Sequence, residues 1–168
     1  MANAGAPASA SEIASYLAGS LTKPICRLVP TGTQSIPDNT ATALTFASED
    51  VDTDGFHDNA TNPSRITPNK PGWYRFAGVY YTGARADYAS VTVFLRKNGS
   101  TTFAGGGRLI TPPSGTTAVQ CTALISCNGT TDYVELMALQ DNTANAAQVT
   151  TVSLYLTSAF ECEFVRSL

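Results

Sequence analysis

The chain has 168 residues, of which 43% are hydrophobic and only 14% are charged, and its formal net charge is −3 at pH 7. This length suits one domain with a core of its own, and the small negative charge, with basic residues dispersed, argues against a nucleic-acid partner. No stretch is apolar over the length of a membrane span, which argues against membrane insertion. An average protein carries about 25% charged residues, so uncharged polar side chains must cover much of this surface, as they do in many β-proteins and particle assemblies.

Residues 1–30 differ in pattern from the rest of the chain. The opening MANAGAPASAS has neither the basic nor the apolar region of a secretory signal, so we expect synthesis and assembly in a cytoplasm. Further on, Ser9 and Glu12 have the spacing of a capping box, and Pro24 ends the run. Apolar residues at helical spacing predict a short amphipathic helix that anchors the chain to another protein, with an unstructured tail as the alternative. The predicted anchor residues are Ile13, Tyr16, Leu17 and Leu21.

From Ile25 onwards the hydrophobic pattern has a period of two. Segments rich in β-branched and aromatic residues predict strands, namely ATALTFAS, GWYRFAGVYYTG, ASVTVFLRK, AVQCTALISC, DYVELMALQD, QVTTVSLYLTSA and FECEFVRSL. Asn98-Gly99 and Asn128-Gly129 predict tight hairpin turns, whereas AGGGR, residues 104–108, predicts a flexible loop. Short strands separated by such turns are typical of an antiparallel sandwich or barrel.

Few residues suggest catalysis. His57 is the single imidazole, and the chain has no G-x-S-x-G motif to supply a serine nucleophile for it. A glycosidase needs two facing carboxylates, which the sequence leaves open, although we interpret the acidic residues of the strand region as solvated side chains. These are Asp87, Asp132, Glu135, Asp141, Glu161 and Glu163. We therefore predict that the protein is not an enzyme.

The acidic segment EDVDTDGFHD has part of a calcium-binding pattern. Asp50, Asp52 and Asp54, followed by Gly55, match the start of an EF-hand loop. The twelfth position is Thr61 instead of the required glutamate, and the flanking sequence does not predict helices. We expect no cofactor, with calcium at the three aspartates left as an alternative.

The chain has four cysteines, Cys26, Cys121, Cys127 and Cys162, without a C-x-x-C pair. Cys121 and Cys127 fall on one face of a strand together with Ala123 and Ile125, as small core residues do. Thiols stay reduced in a cytoplasm. The sequence therefore predicts buried thiols rather than a metal site or a disulfide.

The order of several segments resembles the C1q/TNF-like jelly roll, notably the versions found in virion proteins of tailed phages. The segments are LTFASEDVDTDGFHD, NPSRITPNKPGWYRFAGVYY, FLRKNGS, NGTTDYVELMALQ and VSLYLTSAFECEFV. The resemblance implies an all-β antiparallel jelly-roll sandwich over residues 31–168 that forms homotrimers, with DVDTDGFHD as a surface turn. It also implies the core or trimer-packing residues Phe56, Tyr74, Phe76, Val134, Leu136 and Phe160. Some C1q-like trimers hold calcium near the axis, which is why Asp50, Asp52 and Asp54 remain candidate ligands.

The resemblance leads to a functional hypothesis. The protein would be a trimeric, surface-exposed minor tail or fibre protein in the virion of a tailed phage, docked to other virion proteins by residues 1–30 and contributing to host attachment. The loops at residues 82–90, 104–117 and 140–147 are candidate contacts with host-surface glycans. Aromatic residues there that could stack on sugars are Tyr81, Tyr88 and Phe103. The alternatives are a capsid decoration protein that stabilises the head at three-fold sites, and a carbohydrate-active tail enzyme.

Overall fold

The computed structural model describes residues 9–12, 23–84, 86–100, 103–110, 115–144, 146–149 and 157–168, and for residues 103, 148 and 149 the backbone alone. Within these ranges the regular secondary structure consists almost entirely of strands. They are β1 (Ile25–Val29), β2 (Ser35–Ile36), β3 (Thr42–Ala43), β4 (Ser48–Asp52), β5 (Arg65–Ile66), β6 (Pro71–Tyr81), β7 (Tyr88–Lys97), β8 (Phe103–Ile110), β9 (Ala118–Asn128), β10 (Val134–Asn142), β11 (Gln148–Val149) and β12 (Ala159–Ser167).

The strands form two sheets that pack face to face. The first sheet has the order β4, β1, β12, β6, β9, and the second has the order β3, β10, β7, β8, with β5 also pairing to β10. β2 and β11 form a short separate ribbon. The pairings between these strands are antiparallel, so the predicted antiparallel sandwich is confirmed.

β6 shows why this sequence forms half-buried strands. Its residues alternate between the core and the outer face, with Tyr74, Phe76 and Tyr80 fully buried. Pro71 stands at the first position of the strand, where the missing N–H does least damage to the ladder. Eleven residues of β6 pair with β9 on one side, and β12 pairs on the other. β6 therefore lies in the interior of the first sheet, between β12 and the edge strand β9.

Aromatic rings fill the space between the sheets. Phe160 lies with its ring centroid 6.0 Å from those of both Phe46 and Phe76, and Tyr74 meets Phe56 edge-on at 5.8 Å. Such ring pairs stabilise the core beyond the area that they bury. The six residues predicted to pack in the core or at a trimer axis all lie in this core, inside a single protomer: Phe56, Tyr74, Phe76, Val134, Leu136 and Phe160.

The glycine-rich segment at residues 104–108 is a strand, so the predicted flexible loop is wrong. It forms most of β8, which pairs with β7 and also runs beside β9. A Cβ atom on Gly105 would lie 2.5 Å from the Thr122 carbonyl oxygen, and one on Gly107 would overlap the Gln120 carbonyl oxygen. The glycines are needed because the edges of the two sheets approach backbone to backbone here.

Asn98-Gly99 forms the predicted turn between β7 and β8. Asn98 has φ +51° and Gly99 has φ +66°, and the Ser100 N–H donates to the Lys97 carbonyl at 2.9 Å. Two successive residues with positive φ are typical of the tight turns that match the twist of a hairpin.

Asn128-Gly129 does not form a hairpin, and that prediction is wrong. β9 and β10 on either side of it belong to different sheets. The Asn128 carboxamide oxygen accepts the backbone N–H groups of Thr130, Thr131 and Asp132, each at 3.0 Å. Asn128 therefore fixes a connection that crosses from the first sheet to the second.

The N-terminal region is described in part. Residues 10–12 are helical, and the capping box is present, since the Glu12 N–H donates to Ser9 Oγ at 3.2 Å and the Ser9 N–H to Glu12 Oε2 at 2.7 Å. The predicted anchor residues Ile13, Tyr16, Leu17 and Leu21 lie outside the described residues. The predicted boundary at residue 30 falls after β1, so residues 25–29 belong to the sandwich. Within the described ranges, no helix has the length and apolar character needed to cross a membrane.

The four cysteines are buried and form no disulfide, as predicted. Burial raises the pKa of Cys121 to about 12, against a small opposing effect of a backbone hydrogen bond at Gly78. Burial also raises the pKa of Cys127 to about 12. Both thiols are therefore protonated and unreactive at neutral pH.

Candidate functional site

The three aspartates of the acidic segment are engaged with different partners. Asp52 accepts the backbone N–H groups of Phe56 and His57, both at 3.0 Å, and Asp50 is paired with Arg27. Asp54 is paired with Lys70 at 2.6 Å, and this hydrogen bond, with one from Thr53, lowers the pKa of Asp54. In the part of the chain that the structure describes, no group of three acidic, His or Cys side chains is arranged to hold a metal ion.

The same segment carries the chain into the core, as the resemblance implied. Phe56 is 2% exposed and lies among the core rings. The His57 side chain is fully buried, with Nδ1 2.9 Å from the Arg65 carbonyl oxygen and Nε2 3.1 Å from the Phe46 carbonyl oxygen. The imidazole thus bridges two backbone segments, which is a structural position rather than a catalytic one.

The acidic residues considered for catalysis are each engaged with neighbouring residues, and the prediction that they are solvated is wrong for Glu135. Glu135 is buried and accepts hydrogen bonds from Arg96 at 2.9 Å and Ser64 at 3.0 Å. Glu161 and Glu163 lie on the outer face of the first sheet, where Arg27 and Arg75 neutralise them at 3.4 and 3.1 Å.

The remaining three of these carboxylates are also held by neighbours of their own. Asp132 is paired with Lys97 at 2.8 Å. Asp141 accepts from the Asn39 carboxamide at 3.3 Å, and Asp87 from the Thr143 hydroxyl at 3.5 Å. Each of the six thus has a local structural partner.

The outcome differs among the three residues predicted to contact glycans. Tyr88 is 3% exposed and its hydroxyl donates to the Gly83 carbonyl at 3.1 Å, so the prediction that it contacts a receptor is wrong. Its aromatic ring is needed in the core, where the alternation of β7 places it. Tyr81 is half-buried on the outer face of the first sheet. The side chain of Phe103 lies outside the described residues.

The predicted contact loops are partly strands, since residues 88–90, 104–110 and 140–142 belong to β7, β8 and β10. A buried amide network holds the segment at residues 140–147. Gln140 Nε2 donates to the carbonyl oxygens of Ile36 and Ala146, and Asn142 Nδ2 donates to that of Ala146 at 2.7 Å and to Asp38 Oδ1 at 3.1 Å. Fully satisfied networks of this kind rigidify a structure.

The outer face of the first sheet is concave. It presents the outward residues of β6 and β9, among them Ala77, Val79, Thr122 and Leu124, the last 54% exposed. Cavities of about 630 and 370 Å³ lie side by side on this face and share Arg27, Ala77 and Glu161 in their walls. Apart from Arg75, the outward residues of β6 and β9 are thus uncharged, and ion pairs lie over β1 and β12.

Sequence reasoning missed this face, although β6 carries a signal for it. In GWYRFAGVYY the outward positions hold Trp73, Ala77 and Val79, so the strand is apolar on both faces except at Arg75. A strand that faces water on one side normally alternates apolar and polar residues, whereas a strand covered on both sides does not. The composition of β6 is therefore typical of a strand that is covered on both sides.

A second concavity lies on the opposite side of the sandwich. It has a volume of about 460 Å³ and is lined by residues of β7, β8 and β10, with the Arg108 guanidinium donating to Ser90 Oγ at 3.2 Å. Its walls combine the polar Thr92, Asn39 and Asp141 with the apolar Phe94 and Leu139. Such a surface offers hydrogen-bonding groups but no enclosed pocket.

Comparison with known proteins shows the fold. No protein-family model matches the sequence, and neither does any curated protein. Among solved structures, murine APRIL at pH 5.0 is similar over 86% of this chain and 100% of that chain, with a TM-score of 0.63 and 9% identity. The globular domain of zebrafish complement 1qA protein is similar over 87% of this chain and 100% of that chain, with a TM-score of 0.62 and 13% identity. Eiger TNF from S. frugiperda is similar over 87% of this chain and 94% of that chain, with a TM-score of 0.62 and 9% identity. The chain thus has the TNF/C1q-like jelly-roll fold.

Proposed function

We propose that this protein is a structural component of a tailed-phage virion, a homotrimeric minor tail or fibre protein that contributes to attachment to the host surface. Three features support the proposal. The segment order resembles the jelly rolls of phage virion proteins, the fold is of the TNF/C1q-like type, and one sheet has an outer face suited to self-association. The last of these carries the proposal, because it concerns residues that the fold of a single protomer does not require.

The proposed trimer packs through the outer face of the first sheet. Five strands at about 4.8 Å spacing and up to eleven residues at about 3.3 Å give a face of roughly 20 by 33 Å. This area is of the same order as the roughly 800 Å² that each partner buries in a standard interface. The small residues Ala77 and Thr122 let a second copy approach closely, and its side chains would fill the two cavities.

The charges on this face are paired with one another, which suits a covered position. Arg27 is paired with both Asp50 and Glu161, and Arg75 with Glu163. Charges that are already paired lose less on being covered than isolated charges do. The ion pairs would therefore be covered as paired charges, and the uncharged outward residues of β6 and β9, such as Ala77 and Leu124, would supply the apolar contacts.

Attachment would come from the surfaces that such a trimer leaves open, including the 460 Å³ groove of the second sheet. Three identical copies bind a repetitive host surface with higher avidity than one, even when each contact is weak. The N-terminal segment before Pro24 would dock to other virion proteins. Deleting residues 2–22 should leave the sandwich folded, since Pro24 and β1 remain, but should abolish incorporation into particles.

Immunogold electron microscopy of purified particles tests the location. An antibody raised against the purified protein should label the tail tip. Label over the head would favour the capsid decoration function, which has the same fold and trimer but stabilises the shell. Absence of label on intact particles, with the antibody shown to bind the purified protein, would contradict a virion location.

A further inference from the structure

Cys26 and Cys162 stand opposite each other on neighbouring strands. β1 and β12 pair antiparallel, and Cys26 is in register with Cys162. Directly opposed residues of two strands project to the same face of a sheet. Here this is the inner face, where Cys26 is 1% and Cys162 3% exposed. Two thiols therefore meet in the core, one from the first strand of the sandwich and one from the last.

The spacing of β1 and β12 at this point suits a disulfide. The Phe164 N–H donates to the Pro24 carbonyl at 2.9 Å, which marks these two residues as a hydrogen-bonded pair of the ladder. Hydrogen-bonded and non-hydrogen-bonded pairs alternate in antiparallel ladders, so Cys26 and Cys162, two positions along, are again a hydrogen-bonded pair. Cα atoms in such pairs lie about 5.5 Å apart, within the range of about 4.4–6.8 Å that disulfides span, whereas their Cβ atoms must approach to the roughly 3.5–4.5 Å of a disulfide, which requires β1 to shift.

The other two cysteines have no thiol opposite them. Cys121 is in register with Gly78, and Cys127 with Gly72, both on β6. Cys121 and Cys127 are also separated from each other by six residues of extended strand, about 20 Å. The four thiols therefore contain one pair in disulfide register.

We propose that Cys26 and Cys162 are a dithiol that becomes an intramolecular disulfide when the protein meets a small-molecule disulfide oxidant. The Cys26 thiolate attacks one sulfur of the oxidant, whose S–S bond breaks and releases one small thiol. Cys162 then loses its proton and attacks the Cys26 sulfur, which forms the protein disulfide and releases the second small thiol. Two protein thiols lose two electrons and two protons, and the oxidant gains both.

Oxidation requires β1 to open. Burial, with smaller contributions from neighbouring carboxylates and thiols, raises the pKa of both Cys26 and Cys162, so the closed thiols are protonated and unreactive. β1 has five residues and is covered on its other side only by the edge strand β4. The β1–β4 ladder also has a register shift between Arg27 and Leu28. Local opening is cheapest at such a short and irregular edge of a sheet.

The disulfide would join the first and last strands and enclose nearly the whole sandwich in one covalent loop. A crosslink over more than about 100 residues removes much of the conformational entropy of the unfolded chain and is expected to raise Tm by about 10 °C. The thiols would stay reduced in a cytoplasm and pair after release from it. This inference concerns the sandwich alone and does not rest on the proposed function.

The test uses the full-length protein, purified under reducing conditions and then equilibrated with oxidised and reduced glutathione at several ratios. We expect two of the four thiols to disappear, the mass to fall by about 2 Da, the peptide map to link Cys26 with Cys162, and Tm to rise. Cys121→Ser should behave like the wild type, whereas Cys26→Ser should keep its remaining three thiols under the same conditions.

A second incubation, in urea just below the unfolding transition, makes the opening of β1 more frequent. Slow opening then cannot explain a failure of the thiols to oxidise. Four thiols remaining there would overturn the proposal, and so would a disulfide that involves Cys121 or Cys127. The thiol count and the peptide map are both measured on the wild-type protein, so the outcome does not depend on whether Cys26→Ser folds.

Discussion

His57 is the residue whose position differs most from what its chemistry suggested. As the single imidazole of the chain it is the candidate catalytic base, yet its ring is fully buried between the carbonyl oxygens of Arg65 and Phe46, at 2.9 and 3.1 Å. Its contribution is to hold the acidic turn against β5.

Replacing His57 should therefore destabilise the fold. His57→Ala removes the ring contacts with both carbonyl oxygens and leaves a cavity, and a buried carbonyl without a partner costs about 1–3 kcal/mol. We expect the free energy of unfolding in urea to fall by about 2–4 kcal/mol. Asn59→Ala, an exposed position in the same turn, is the matched control and should change stability by less than about 0.5 kcal/mol. Equal stability of the two variants would contradict the bridging role.

For single residues, the sequence predicted which side chains point into the core better than it predicted their hydrogen-bond partners. The alternation in CTALISC correctly placed Cys121 and Cys127 in the core. The roles of Asp52 and His57 were not predictable, because their hydrogen-bond partners are backbone groups set by the tertiary fold. Tyr88 was misjudged for a related reason, since an aromatic residue next to a loop has the same local pattern whether it is buried or exposed.

Among the elements, β8 depends most directly on the absence of side chains. Gly107→Ala places a methyl group against the Gln120 carbonyl of β9, so β8 must move away or the backbone must distort. We expect a loss of about 2–3 kcal/mol in the free energy of unfolding. A Cβ at the neighbouring Gly106 would lie 3.5 Å from the nearest atoms, an ordinary contact. Gly106→Ala should therefore be nearly neutral, and a comparable loss in both variants would show that glycine is needed for flexibility rather than for close approach.

The turn between β9 and β10 should contribute to stability in a pH-dependent way. Burial alone would raise the pKa of Asp132, but hydrogen bonds from Lys97, Asn98 and the Asn128 backbone outweigh it and lower the pKa below its ordinary value. The folded state thus binds this proton less tightly than the unfolded chain. The stabilisation is therefore complete above the unfolded pKa, near pH 4, and is lost as pH falls through the folded pKa.

Asp132→Asn should remove this dependence. The variant keeps the side-chain shape but loses the charge that pairs with Lys97 at 2.8 Å, and hydrogen bonds to charged groups contribute about 1.5–3 kcal/mol. Urea denaturation between pH 7 and pH 2 should show the wild type more stable by about 2 kcal/mol at pH 7, with the two curves converging at low pH. A constant difference at all pH values would mean that shape, not charge, matters at this position.

The elements themselves were predicted where the period of two was long. The predictions for GWYRFAGVYYTG, ASVTVFLRK and FECEFVRSL correspond to β6, β7 and β12. The glycine-rich β8 was not predicted, because successive glycines show no alternation of side chains to detect. Its glycines reflect the close approach of β9. Asn128-Gly129 was assigned to a hairpin because a turn sequence does not reveal whether the next strand stays in the same sheet.

For the whole molecule, the order of the segments predicted the sandwich. The proposed assembly depends instead on the outer face of a sheet, which the pattern of core residues does not reveal. The six residues expected in the core or at a trimer axis all lie inside one protomer. The proposed self-association would therefore use outward residues, and the outer face of β6 and β9 presents them next to the two cavities. Light scattering of the full-length protein should give the mass of three chains, and a stable monomer would contradict the proposed assembly.

Leu124 provides the test of which face is used. It is 54% exposed on the outer face of β9, so Leu124→Asp leaves the protomer core intact but would bury a carboxylate without a partner at the proposed interface, which is strongly unfavourable. We expect a monomer with an unchanged circular dichroism spectrum. Ile110 is 68% exposed on β8 of the other sheet, and Ile110→Asp should remain trimeric. If Leu124→Asp stays trimeric while Ile110→Asp dissociates, the chains associate through the second sheet, and the groove proposed for host contact would then lie inside the assembly.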